Sequence, residues 1–137
     1  MKFMALLKAT ADSEAGRIPE PKHMEAMISF NEQLAKDGVL LAAEGLRASA
    51  KGARLRFDGG RTTVIDGPFA ETKELIAGFW IVQGKSREEV VERFARLPLD
   101  GGEVIEIREF FEFEDFQAAL TPEQRARTER VTLDDLK

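Results

Sequence analysis

Apolar residues fill both parities of residues 2–9, Phe3 and Leu7 on one and Met4 and Leu6 on the other. Central sheet strands, buried on both faces, read this way. Residues 11–20 are polar and loop-like. Pro21 then stands at a favoured first helical position. Met24, Met27, Ile28, Leu34 and Ala35 follow at three- and four-residue spacing, the stripe of an amphipathic helix, and Gly38 supplies its stop. Residues 39–43 form the next apolar strand. Residues 54–57 alternate as Arg-Leu-Arg-Phe, Asp58-Gly59-Gly60 is a tight-turn signal, and residues 62–65 return, which predicts a hairpin. A second doubly apolar strand covers residues 76–82 around Gly78, Phe79 and Trp80. Ser86 with Glu89 predicts a capping box, Ser86 capping and Glu89 reaching back. Val90, Val91, Phe94 and Leu97 give that helix its stripe, Pro98 closes it, and residues 103–108 alternate around Ile105 and Ile107 as the last strand.

The predicted order is β-α-β, a hairpin, then β-α-β. Two such halves on one antiparallel sheet, with helices on one face, make an α+β fold of ferredoxin-like type. Helices on one face leave the other uncovered, and a second subunit is the expected cover, so a homodimer is predicted. Residues 1–112 read as the domain. Residues 113–137 read as a charged C-terminal extension, with a helix start at Thr121-Pro122-Glu123-Gln124. Phe110, Phe111, Phe113 and Phe116 are placed to anchor it to the body or to a partner, with a partly ordered terminus as the plain alternative.

Composition narrows the function. A chain of 137 residues with 43% hydrophobic content holds one real core. Without cysteine there are no disulfides, thiol nucleophiles or iron–sulfur clusters, and with one histidine there is no typical zinc site. The loop from Asp58 fails as an EF-hand because its twelfth position is Phe69. No metal and no cofactor is expected. A net charge of −5 argues against nucleic acid, and no apolar run approaches the ~20 residues of a membrane span. A cytoplasmic protein is the expectation. Phosphate-loop, dinucleotide and serine-hydrolase motifs are lacking.

The candidate chemistry concentrates in residues 66–74. Asp66-Gly67-Pro68 has a sufficient turn explanation. Glu71, Lys73 and Glu74 are less easily explained, since two carboxylates flank an ammonium just before a buried strand. In a cleft, the ammonium would hold one carboxylate ionised while the other is pushed towards neutrality, a split suited to acid–base work. An imidazole suits general-base work at neutral pH, which makes His23 the natural candidate base, with a solvent-facing helix position as the plain alternative. Glu44 and Arg47, three apart after the second strand, could bind a small polar ligand or simply pair with each other. Asp66, Glu71, Lys73 and His23 are thus the catalytic candidates. Glu44, Arg47, Phe69 and Glu74 are the ligand-binding candidates.

Asp66-Gly67-Pro68-Phe69-Ala70-Glu71-Thr72-Lys73-Glu74 followed by Gly78-Phe79-Trp80 resembles the signature of the DGPF-domain branch of the YCII-related family. Gly38-Val39-Leu40, Glu44-Gly45-Leu46, residues 56–59 and Ile105-Glu106-Ile107-Arg108 extend the resemblance over residues 1–112. It implies a ferredoxin-like subunit that pairs into a dimeric α/β barrel. It also implies a helix histidine at His23 like the one that related members are proposed to use with an aspartate. DGPF proteins further resemble modules found beside extracytoplasmic-function sigma factors, which implies a regulatory role and a possible sigma-factor partner. The expected function is a ligand-binding or regulatory module. The alternative is a small-molecule enzyme of isomerase or lyase type using acid–base catalysis at the loop of residues 66–74.

Overall fold

In a computed structural model of the protein, the doubly apolar segment becomes β1 (Lys2–Lys8), a central strand of a four-stranded antiparallel sheet. The structure describes residues 1–99 and 101–135, with side chains up to residue 130. After β1 come α1 (Ala11–Glu14), α2 (Pro21–Lys36), β2 (Leu40–Gly45), β3 (Ala53–Asp58), β4 (Arg61–Asp66) and β5 (Ile76–Gln83). The chain continues through α3 (Arg87–Phe94), β6 (Ile105–Glu109), α4 (Phe113–Phe116) and α5 (Pro122–Asp135). The sheet order is β2-β5-β1-β6, the antiparallel order of a ferredoxin-like unit, and the fold is α+β as the pattern predicts.

Register fixes which side chains share a face. Phe3 pairs with Val82, Ala5 with Trp80 and Ile107, and Leu7 with Gly78 and Ile105. This face is covered by α2 and α3, and Phe3, Ala5, Leu34, Trp80, Val82, Val90, Phe94 and Leu97 form the core. Trp80 and Phe94 meet edge-on at 5.2 Å, and Phe30 joins them. On the opposite face, two rows cross all four strands: Glu44–Phe79–Leu6–Glu106 and Ala42–Ile81–Met4–Arg108. Their centres are apolar and partly exposed, and their ends are charged except at Ala42.

Several details differ from the sequence reading. The hairpin β3–β4 does not join the main sheet but forms its own two-stranded sheet. Its turn is Gly59-Gly60, both at positive φ, which favours glycine. The loop-like residues 11–20 contain a short helix, because Thr10 and Ser13 cap each other reciprocally. Ser86 does accept the Glu89 N–H at 3.1 Å, but the Glu89 carboxylate reaches Lys85 N–H rather than that of Ser86. α3 ends at Phe94, before Pro98, and Leu97 is buried beyond it. Asp37 at the end of α2 accepts from Arg93 of α3 at 2.8 Å, tying the two covering helices together. The guanidinium first, then Gln33, holds the Asp37 carboxyl below its ordinary range.

Candidate functional site

Between α2 and the end of the sheet where β1 finishes and β5 begins, two hollows share Leu7, Met27 and Ala77. The smaller, about 170 Å³, is walled by Trp80, Leu7 and Ala43 and carries Asn31. The larger, about 630 Å³, runs out past Met27 to His23, Glu20, Arg17 and Glu103. The smaller hollow is mostly apolar, whereas the larger mixes Leu7, Ile18, Met27 and Leu99 with polar and charged groups, so together they offer an apolar floor and a polar mouth, a constitution suited to a small molecule.

Helix periodicity supplies both polar groups of the α2 wall. Met27, Asn31 and Leu34 follow at i, i+4 and i+7, so Asn31 is a polar residue on the buried stripe. Trp80 Nε1–H donates to Asn31 Oδ1 at 2.7 Å, which orients the amide and leaves its NH₂ group without a partner among the described residues. Asn31 escapes the motif reading, although a polar residue on an apolar stripe is a legible signal. His23 is one turn above Met27, exposed in its own chain but lining the larger hollow. Arg17, held by an ion pair to Asp12, comes from the loop after α1.

The loop of residues 66–74 lies elsewhere. Asp66, Glu71, Lys73 and Glu74 are all exposed, and none lines either hollow. Lys73 forms no ion pair with these acids among the described residues, so the expected carboxylate–ammonium cluster is not assembled within one chain. The physical reason is a set of backbone ties that bind the loop to the β2–β3 connection. Gly67 N–H donates to Gly52 O at 3.0 Å, and Phe69 N–H donates to Ser49 Oγ at 3.1 Å. Ser49 in turn donates to Glu14, through its hydroxyl and through its N–H at 2.9 Å. These two hydrogen bonds hold the Glu14 carboxyl below the usual carboxylate range, against a small opposing effect of burial. A Cβ on Gly67 would lie 1.8 Å from Ser49 O, so the close approach requires glycine. The Gly67–Pro68 bond is cis. The Arg54 guanidinium covers the Phe69 ring at 3.9 Å. No local pattern announces the Glu14–Ser49 contact, because its partners are 35 residues apart.

Glu44 borders the smaller hollow, but it pairs with Phe79, and strand alternation sends its carboxylate to the open face, away from the α2 side. His23 and Glu44 therefore do not form a dyad within one chain. Arg47 is exposed and makes no ion pair with Glu44.

The profile of the YCII-related domain matches residues 1–114. The chain belongs to the YCII-related family. This YCII-related chain is 36% identical over 73 residues to an uncharacterised protein of Rhizobium meliloti (strain 1021). The match covers 53% of the chain and 58% of that relative's length, so the chain spans less than two thirds of it. A solved structure, the 5-chloro-2-hydroxyhydroquinone dehydrochlorinase of Burkholderia phenoliruptrix AC1100 in complex with 2,5-dihydroxybenzoquinone, overlaps it with a TM-score of 0.39 at 18% identity. That overlap covers 83% of this chain and 98% of the other. Among the described residues no helix is long and apolar enough to cross a membrane.

Proposed function

We propose that this YCII-related protein binds a small organic molecule in the groove between α2 and the sheet. The apolar body of the ligand would lie on Leu7, Met27 and Trp80, with its polar groups towards Asn31 and His23. The carrying observation is the pair of adjoining hollows that share Leu7, Met27 and Ala77, with an uncommitted Asn31 amide donor in one and the sole imidazole at the rim of the other. Trp80 is the only tryptophan and there is no tyrosine, so intrinsic fluorescence reports this wall alone. Titration with a panel of hydroxybenzoates, catechols and 2-oxo acids should give a saturable change for at least one member, weakened at least about tenfold by His23→Ala. A panel that leaves both Trp80 emission and the Met27 and Asn31 amide signals unmoved would sink the reading.

A second reading, proton transfer at His23, is favoured by the position of this imidazole in the larger hollow with Glu20 and Glu103. Solvent-deuterium exchange into a bound 2-oxo acid, lost in His23→Ala while binding persists, would support it. Exchange that survives the substitution would end it. The regulatory role and the sigma-factor partner rest on the resemblance alone.

Two copies are also proposed to pair through the open sheet face, burying Met4, Leu6, Phe79 and Ile81 between them. Leu6→Asp should then give a monomer with native circular dichroism. A wild-type chain that sediments as a monomer at micromolar concentration contradicts this pairing.

A further inference from the structure

We infer that the β3–β4 hairpin is an arm that clasps a second copy of this chain through Leu55, Phe57 and Val64. Every residue of both strands is exposed, and Leu55, Phe57 and Val64 are 58%, 75% and 61% exposed. Leu55 pairs with Val64 and Phe57 with Thr62, so the three apolar side chains share one face of the hairpin, while Arg54, Arg56 and Arg61 share the other. A lone two-stranded hairpin is marginal in water, and an apolar face on it calls for a cover.

The area that a stable pairing needs points to a second copy as the occupant. The inference rests on the pairing of sheet faces proposed above. A four-stranded face with strands of this length is roughly 20 Å by 20 Å, about 400 Å² in projection. Even with side-chain relief, that reaches only the low end of the ~800 Å² per partner of a standard interface and falls short of an obligate one. The three side chains of the arm add on the order of 300 Å² of apolar surface per chain. The arm carries three arginines against two aspartates, a net charge of +1, on a chain of −5, which leaves −6 on the rest. Arg54, Arg56 and Arg61 are on the face opposite Leu55, Phe57 and Val64, so this charge keeps the free arm solvated and leaves the contact itself to the apolar face. The base of the arm is already fixed by Gly67 N–H on Gly52 O, which reduces the ordering that docking would need.

The test compares wild type, the arm variant Leu55→Ser/Phe57→Ser/Val64→Thr and the sheet variant Leu6→Asp by sedimentation equilibrium, with circular dichroism as the check on folding. The arm positions are exposed, so the variant keeps the core. The arm variant is expected to raise the dimer dissociation constant at least about 100-fold. A photo-crosslinker at position 57 should link to a second chain. An arm variant that dimerises like wild type while Leu6→Asp is monomeric overturns the arm and keeps the sheet pairing. A monomeric wild type overturns both. Flotation of monomeric wild type with phosphatidylcholine vesicles would name a lipid surface as the occupant and overturn the assignment to a second copy.

Discussion

β1 and β3 are written in the same alphabet and end in opposite states. Each alternates large apolar residues, Phe3 and Leu7 in one and Leu55 and Phe57 in the other, yet Phe3 is fully buried while Phe57 stands 75% exposed. The other parity differs. β1 fills it with Met4 and Leu6, and β3 fills it with Arg54 and Arg56. A strand with apolar groups on both faces is driven to the centre of a sheet, where β5 and β6 flank it and α2 and α3 cover one side. A strand with one charged face keeps that face in water, and here β3 pairs only with β4, so its apolar face waits for a cover. Burial here follows from what lies opposite a residue rather than from the residue itself.

The largest expected effect breaks or confirms that contrast. Phe3→Ala should cost about 3–5 kcal/mol in urea denaturation, since it opens a cavity among Val82, Val90 and the aromatic cluster. Phe57→Ala, measured in dilute monomeric protein, should change stability by less than about 0.5 kcal/mol. Equal costs at the two positions would mean that the hairpin is packed on its own chain.

Next in size is Gly67→Ala. The added methyl would overlap the Ser49 carbonyl, so either the 66–74 loop or the Ser49–Lys51 turn must shift. A loss of about 1–3 kcal/mol is expected, with the largest amide shifts at Ser49 and Phe69. Shifts spread over β1 instead would show that the loop is tied elsewhere. Asn31→Leu follows. It leaves Trp80 Nε1–H without its acceptor at little change in volume, and about 1–2 kcal/mol should be lost with a change in Trp80 emission. Unchanged emission would separate the indole from the α2 wall.

The same contrast marks how far the sequence could be read. The order of elements along the chain, the Gly59-Gly60 turn and the helix start at Thr121 are local patterns, and the structure contains each of them. The α2 stripe holds at Met27 and Leu34, but Met24, Ile28 and Ala35 are exposed, and Phe30 and Asn31 take the inward positions instead. The site was less legible. Residues 66–74 stand out as a motif, but the motif encodes a close backbone approach, Gly67 on Ser49, and Asp66, Glu71, Lys73 and Glu74 form no ion pair with one another among the described residues. His23 was visible as a lone imidazole. Its hollow was not, because Leu7, Met27 and Ala77 meet only through the tertiary arrangement of α2 on the sheet. Glu44 was drawn in by its proximity to a strand end, and strand parity carries its carboxylate to the other face.

The smallest effect sharpens the comparison at the root of the hairpin, where an exposed arm meets a fixed base. Glu14 accepts from both the hydroxyl and the backbone N–H of Ser49, and Ser49 Oγ accepts from Phe69 N–H, so one carboxylate anchors two connections at once. The hydroxyl bond first and the backbone bond second depress the Glu14 pKa in the folded chain. A carboxyl depressed on folding contributes stability that is fully present above its unfolded pKa of about 4.3 and is lost as pH falls through the lower folded value. The contact should therefore be intact at neutral pH and release only below that range, with little change in global unfolding because the group is at the surface. The Ser49 and Phe69 amide signals should titrate together with a midpoint below about 4.3, and Glu14→Gln should abolish that titration while the Phe3 amide stays fixed in both proteins. If Ser49 and Phe69 instead titrate at the midpoint of an ordinary exposed carboxylate, or keep their titration in Glu14→Gln, then Glu14 is not the anchor and the base of the arm is held by the Gly67–Gly52 backbone bond alone.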